Sequence, residues 1–165
     1  MYMIRTLFTI FLFFILPFKV FALIEVDITR GNLNPLPIAV SPLSIDENSK
    51  QNFEKILKKN NIGSEISLVV EQNLKASGLF NPLNKDAFLQ APDIANLKPR
   101  FEDWSLIKAQ ALITGKVNYV DEKLRVEFRL WDVLAGKEMM ALAFTTVPNN
   151  WRRVGHIISD KVYER

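Results

Sequence analysis

His156, Ser159 and Asp160 are the residues of this chain that come nearest to a chemical constellation. A histidine, a hydroxyl and a carboxylate are the parts of a nucleophilic triad. Their setting does not suit one. Ser159 follows His156 by three residues in a stretch of helical periodicity, with no strained elbow to expose it and no backbone donors to receive an oxyanion. His156 is the only histidine and there is no cysteine, so a histidine-based metal site lacks its second soft or nitrogen ligand. Glu102-Asp103 and Asp121-Glu122 pair carboxylates by adjacency, but one pair falls at a helix start and the other in a turn, where acids are expected without catalysis. The six glycines are scattered and form no phosphate-binding loop. Trp104, Trp131 and Trp151 are not interleaved with basic residues as a stacking platform would be; two of them read as core or interface anchors. The catalytic case is weak throughout. The expectation is a protein that is not an enzyme, with no cofactor, metal, nucleic acid or small-molecule substrate, and a hydrolase using Ser159 and His156 is a distant third reading.

The helix that carries His156 must therefore be read for what it positions. Trp151, Val154, Ile158 and Val162 recur at helical spacing and make one apolar face. Arg152, His156, Asp160 and Tyr163 cluster opposite. Spacing alone favours a solvated polar face with a contact between His156 and Asp160 one turn apart; the sharper reading is a docking face for another domain or chain. No Gly, Asn or Pro follows to stop the helix before Arg165. An uncapped helix end is expected to belong to a longer protein.

The other end of the chain predicts export. Arg5 precedes the ten-residue apolar run Leu7 to Leu16, Pro17 breaks it, and Val20-Phe21-Ala22 ends in a small-residue cleavage site. Ten residues of helix reach ~15 Å, about half of a bilayer core, which favours a cleaved signal peptide over an anchor. Cleavage after residue 22 of 165 leaves 143, enough for one domain. The formal charge of +3 includes Arg5 and Lys19, so the exported chain carries only +1, too little to imply a nucleic-acid partner.

Between these ends the pattern predicts a two-layer α/β sandwich. Leu23 to Thr29 alternates apolar and polar residues, as a half-buried or edge strand does. Gly31 to Pro35 is turn chemistry, and Leu36 to Val40 is a short apolar strand. Ile45 to Asn61 is rich in Lys and Asn and reads as a loop with a helical piece around Phe53, Ile56 and Leu57. A firmer helix spans Ser64 to Ser77, with Gly78 placed for a left-handed stop. Leu79 to Leu83 is a brief strand and Phe101 to Ala109 a short helix. Ala111–Val120, Leu124–Leu134 and Met139–Val147 make a meander. In its middle strand Leu124, Val126, Phe128 and Leu130 face the core, while Arg125, Glu127 and Arg129 face away, as in a sheet covered on one side only. Asn149 or Asn150 is placed to cap the last helix. The sum is a mixed sheet of about five strands with two main helices.

Several segments together resemble the N-terminal domain of the TolB family, the periplasmic component of the Tol–Pal system of Gram-negative bacteria. They are Ser77-Gly78-Leu79-Phe80 with Pro82-Leu83, Phe101-Glu102-Asp103-Trp104, Ala109-Gln110-Ala111-Leu112 with Thr114-Gly115, and Arg125 to Asp132. The closing stretch Arg152-Arg153, His156, Ser159-Asp160 and Val162 to Arg165 completes the set. The resemblance implies a periplasmic, non-enzymatic protein that links TolA of the inner membrane to the lipoprotein Pal, for outer-membrane integrity and its invagination at division. It implies that the first residues after the signal peptide, mapped here to Leu23, Ile24, Glu25, Val26, Asp27, Ile28 and Thr29 and on to Asn34, engage the C-terminal domain of TolA. It also implies that Pal is carried by a C-terminal β-propeller to which no residue here corresponds. With a domain expected downstream, Arg152, His156, Asp160 and Tyr163 read as an interdomain docking face. The alternatives are a standalone domain of this type with another envelope partner, or an inactive fragment. The Lys/Asn-rich stretch from Ser44 to Asn61 departs from the family pattern.

Overall fold

A computed structural model describes residues 34–165 of the chain; the expected signal peptide and the strand Leu23 to Thr29 lie outside the described residues. The core begins with β1 (Leu36–Val40) and continues through a two-residue strand, β2 (Ser44–Ile45), into helices α1 (Glu47–Leu57) and α2 (Ile62–Ala76). After β3 (Phe80–Pro82) come two short helices, α3 (Pro92–Leu97) and α4 (Phe101–Leu106). The meander β4 (Ala111–Val120), β5 (Lys123–Asp132) and β6 (Lys137–Thr146) leads into the last helix, α5 (Trp151–Tyr163). Strand order is β3-β1-β4-β5-β6, with β2 also paired to β4. β1 runs parallel to β3 and β4, whereas the meander is antiparallel, so the sheet is mixed as expected.

Alternation assigns the faces. Ile38, Val40, Ile113, Val117, Leu124, Val126, Phe128 and Leu130 point to one side and are buried with Ile66, Val70 and Leu74 of α2 and Val154, Ile158 and Val162 of α5. Ala39 and Leu112, one residue out of step, point to the other side and join Trp104, Ala109 and Val133 in a smaller cluster. The sheet is therefore covered on both faces at its β1–β4 end, which the alternation in β5 did not reveal. Gln90 holds that second layer: its Oε1 accepts from the Trp104 Nε1 at 2.7 Å and from the Arg100 amide at 2.9 Å. Beyond it the face is ionic. Glu127 pairs with Arg125 at 3.0 Å and Lys116 at 3.4 Å, and Arg129 with Glu138 at 3.3 Å. Desolvation pushes the Glu127 carboxyl up, but the two cations outweigh it and hold the group below its ordinary range.

The line formed by β1 and β2 contains one residue too many. Val40 lies opposite Ile113 and Ser44 opposite Lys116, so four steps along one strand face three along the other. Pro42, which has no N–H, sits in the bulge. The freed backbone groups turn to buried Ser67 of α2. Its Oγ accepts from the Leu43 amide at 3.0 Å and lies 3.0 Å from the carbonyl oxygens of both Ser41 and Gly63, which share its single hydrogen. Gly63 is obligatory beside it, because a Cβ there would collide with the Leu43 carbonyl.

Two expectations are corrected. The Ile45 to Asn61 stretch is not mainly a loop: the helical piece around Phe53, Ile56 and Leu57 belongs to the full eleven-residue α1. Asp46 caps it: Oδ1 accepts from the Ser49 amide at 2.8 Å and Oδ2 from the Ser49 hydroxyl at 2.7 Å. These bonds hold the Asp46 carboxyl below its usual range. The Ser49 hydroxyl in turn accepts from the Tyr119 amide of β4 at 2.8 Å. Lys58, at φ 56°, ends the helix without a glycine. At the last helix Asn150 holds the N-cap position but its side chain makes no capping bond. A 3₁₀ turn over Pro148–Asn150 runs straight into α5, leaving no extended residue for an N-cap geometry. Gly78, at φ +74°, stands just past α2 as expected.

Replacing Ser67 with Ala leaves the buried Leu43 amide without its acceptor, and a loss of about 1–3 kcal/mol of unfolding free energy is expected by urea denaturation. An unchanged midpoint would mean that the bulge finds another partner.

Candidate docking face

α5 lies on the sheet against α2, and the tightness of that crossing decides what its outer face can present. Gly155 sits at the contact. A Cβ there would stand 2.8 Å from Val69 Cγ1 and 2.9 Å from Val69 Cβ, inside van der Waals distance. The helices come this close only because residue 155 has no side chain. Next to it, Asn73 of α2 reaches across. Its Nδ2 lies 2.8 Å from His156 Nδ1 and donates to Ser159 Oγ at 3.1 Å, using both amide hydrogens. An amide N–H can only donate, so Nδ1 of His156 is the acceptor in that pair. Ser159 is buried and gives its hydroxyl hydrogen to the Gly155 carbonyl at 2.9 Å.

This arrangement answers the triad question geometrically. Ser159 and His156 share Asn73 as a common partner, and the Ser159 proton is committed to a backbone oxygen of its own helix. The expected contact between His156 and Asp160 is not among the described hydrogen bonds or ion pairs; Asn73, out of sight in the local sequence, takes the imidazole instead.

Arg152, His156, Asp160 and Tyr163 are all exposed, as the helical wheel predicts, but they do not form one uniform surface. At the first turn the Arg152 guanidinium lies 4.9 Å from the centre of the Trp151 ring, and Lys59 Nζ lies 5.3 Å from that centre. The indole is thus flanked by two cations, which favours its electron-rich faces. In the middle, His156 is bound to Asn73. At the last turn Tyr163 leaves the polar stripe and borders an apolar cleft of about 360 Å³ with Leu36, Phe80, Leu134, Met139 and Val162. Sequence reasoning did not anticipate this cleft. Its one local signal is Leu134, left 73% exposed beside a turn; most of the lining comes from six separate elements, β1, β3, β4, β5, β6 and α5. Helix α5 closes without a left-handed stop, since Glu164 keeps right-handed dihedrals of φ −71° and ψ −13°.

Among the described residues no group of His, Asp and Glu could hold a metal ion, and no helix is long and apolar enough to cross a membrane. The predicted TolA-facing residues Leu23 to Thr29 lie outside the described residues.

Fold and surface together define an α/β sandwich domain whose polar side chains mostly hold elements together, with its exposed features on the last helix and at the sheet ends. The chain belongs to the TolB family: residues 24–139 match the model of the TolB amino-terminal domain. It is 82% identical over 154 residues to the Tol-Pal system protein TolB of Pelagibacter ubique (strain HTCC1062), a match covering 93% of this chain and 34% of that relative. The chain thus spans about a third of the length of that relative. Among solved structures it is similar in fold to TolB from Acinetobacter baumannii, with a TM-score of 0.59 at 20% identity, over 79% of this chain and 28% of the other.

Gly155→Ala tests the close crossing. Alanine favours a helix interior by about 1 kcal/mol over glycine, yet a net loss of stability is expected because the methyl meets Val69. Combining it with Val69→Ala should cost less than the two single losses added together, by at least about 0.5 kcal/mol in a double-mutant cycle. Simple additivity would show that the two residues are not in contact.

Proposed function

We propose that this chain is the amino-terminal, TolA-facing part of a Tol–Pal connector, exported to the periplasm by the signal peptide in residues 1–22, and that it works by binding rather than catalysis. The observation that carries this reading is the 82% identity to a Tol-Pal system protein TolB along 93% of the chain, which no rearrangement of fold analogies would supply. In this reading Leu23 to Thr29 engage the C-terminal domain of TolA as an added strand. Alternating residues at a chain end suit that mode, because free backbone groups supply affinity while side chains on one face supply selectivity. Pal is carried by the propeller of the longer family members, so the link to the outer membrane, its integrity and its invagination at division belong to the whole protein. The committed hydroxyl of Ser159 and its indirect relation to His156 support the non-enzymatic part of the reading.

Residues 23–165 should bind the C-terminal domain of the cognate TolA in isothermal titration calorimetry. Removing Leu23 to Thr29 should abolish the heat of binding with the far-ultraviolet circular dichroism unchanged. Unaltered affinity after that deletion would sink the assignment.

The same reading gives Arg152, His156, Asp160 and Tyr163 to the contact with the propeller. All four are exposed on one helix, and Tyr163 adds the rim of an apolar cleft to their charges. Substituting them in a full-length relative should raise amide hydrogen exchange along α5 and in the propeller segment that covers it. Intact interdomain protection in that variant would remove the face from the proposal.

A further inference from the structure

The two edges of the sheet are treated differently by the sequence. β3 is three residues long and contains Pro82, which cannot donate to a neighbouring strand. β6 is ten residues long, and among the described residues no strand lies beyond it. Its charges, Lys137 and Glu138, are confined to one end, and Glu138 is already drawn to Arg129. From Met139 to Thr146 there is no charge and no proline. Natural edge strands are normally guarded by such residues or by bulges; here the two charges and a bulge at Met139 guard the first three residues, and Met140 to Thr146 is left unguarded.

The exposed side chains show what the edge fits. Met140, Leu142 and Phe144 share the helix-facing side of the sheet, since they lie opposite Leu130, Phe128 and Val126; the bulge at Met139 turns Glu138 to the other face, opposite Trp131. The β5 members of that row are buried, but Leu142 is still 38% exposed, with no further strand beyond it among the described residues. The apolar layer therefore runs out at the edge rather than ending in polar residues. Read in the antiparallel direction, the strand is complementary to itself. With Leu142 facing Leu142 of a second copy, Met140 meets Phe144 on the helix-facing side and Ala141 meets Ala143 on the other. Lys137 and Glu138 lie beyond the bulge at Met139 and outside this regular stretch, so no charges oppose each other within it. A one-residue shift would turn the apolar row to the ionic face.

We propose that β6 is the interface of a symmetric dimer of this chain, its two-fold axis passing beside Leu142, which joins two sheets edge to edge. The regular pairing covers five residues, Met140 to Phe144, and at a rise of about 3.4 Å each this is a junction of roughly 17 Å. A junction of strands alone is at the small end of specific interfaces, so the dimer forms as concentration rises rather than obligately.

Residues 33–165 form one compact unit, and the proposed exported form, residues 23–165, contains it whole and is the sample. Sedimentation equilibrium should show a monomer–dimer equilibrium. Leu142→Lys and Leu142→Glu, each placing like charges across the axis, should weaken dimerisation at least about tenfold, and an equimolar mixture of the two should restore it. Because the chain has no cysteine, Leu142→Cys gives an independent readout. Directly opposed residues of an antiparallel pair have Cα atoms about 4.5–5.5 Å apart, which a disulfide can span. Mild oxidation should yield a covalent dimer from Leu142→Cys and none from Val120→Cys, at the far end of the meander. A chain that stays monomeric at every concentration overturns the proposal, as does a dimer indifferent to Leu142→Lys. A dimer lost on deleting Leu23 to Thr29 also overturns it, since that segment would then be the strand that pairs.

Discussion

One buried hydroxyl, that of Ser67, holds the irregularity around which the sheet and its helices are assembled. The first strand line carries an extra residue and a proline, and the bulge leaves backbone groups with no partner in the sheet. An unpaired amide in this dry layer would cost as much as any single apolar contact contributes. Ser67 accepts from Leu43 and lies beside the Ser41 carbonyl, which ties α2 to the sheet at one defined height. Gly63 permits that height by lacking a side chain where the Leu43 carbonyl passes. Once α2 is placed, Gly155 can meet Val69, and α5 is placed in turn. The polar stripe of α5 faces outward as a consequence of this chain of close contacts.

The sheet spends its two faces differently, and this bears on function. One face is closed by α2 and α5 over an apolar layer. The other is closed only at its β1–β4 end by the Trp104 cluster, and elsewhere carries paired charges. Among the described residues, both faces of this architecture are largely occupied by packing and ion pairs. Its unspent recognition capacity lies at the margins: the long free edge of β6, the cleft beside Tyr163, and the exposed side of α5. Such a distribution suits a domain whose work is to be held by other proteins.

Much of the fold was legible because its signals are local. Strict alternation in Leu124 to Leu130 assigned the β5 faces, and Gly78 marked the end of α2 through its left-handed conformation. The helix α1 was legible only as a piece around Phe53, Ile56 and Leu57. Its apolar stripe is thin, with Phe53 buried but Ile56 half exposed, and its stop at Lys58 uses a left-handed residue that is not glycine. The signal that was present, Asp46 three residues before Ser49, is short and common. Its weight comes from Tyr119, whose amide the Ser49 hydroxyl accepts from seventy residues away in sequence.

The sequence by itself determined which residues share a face, where the chain turns, and which family it joins, since periodicity and motif order are properties of neighbours along the chain. The tertiary structure alone decided who bonds to whom across that chain. His156 had a carboxylate one turn away, yet it pairs with Asn73, 83 residues earlier. Ser159 is occupied by the same amide, and Ser67 serves a bulge two dozen residues before it. Such partners are chosen by the distance between packed helices, which Gly155 and Gly63 set by having no side chain. Spacing along one helix lists the groups that a residue can reach; only the packing of a second element shows which of them it meets.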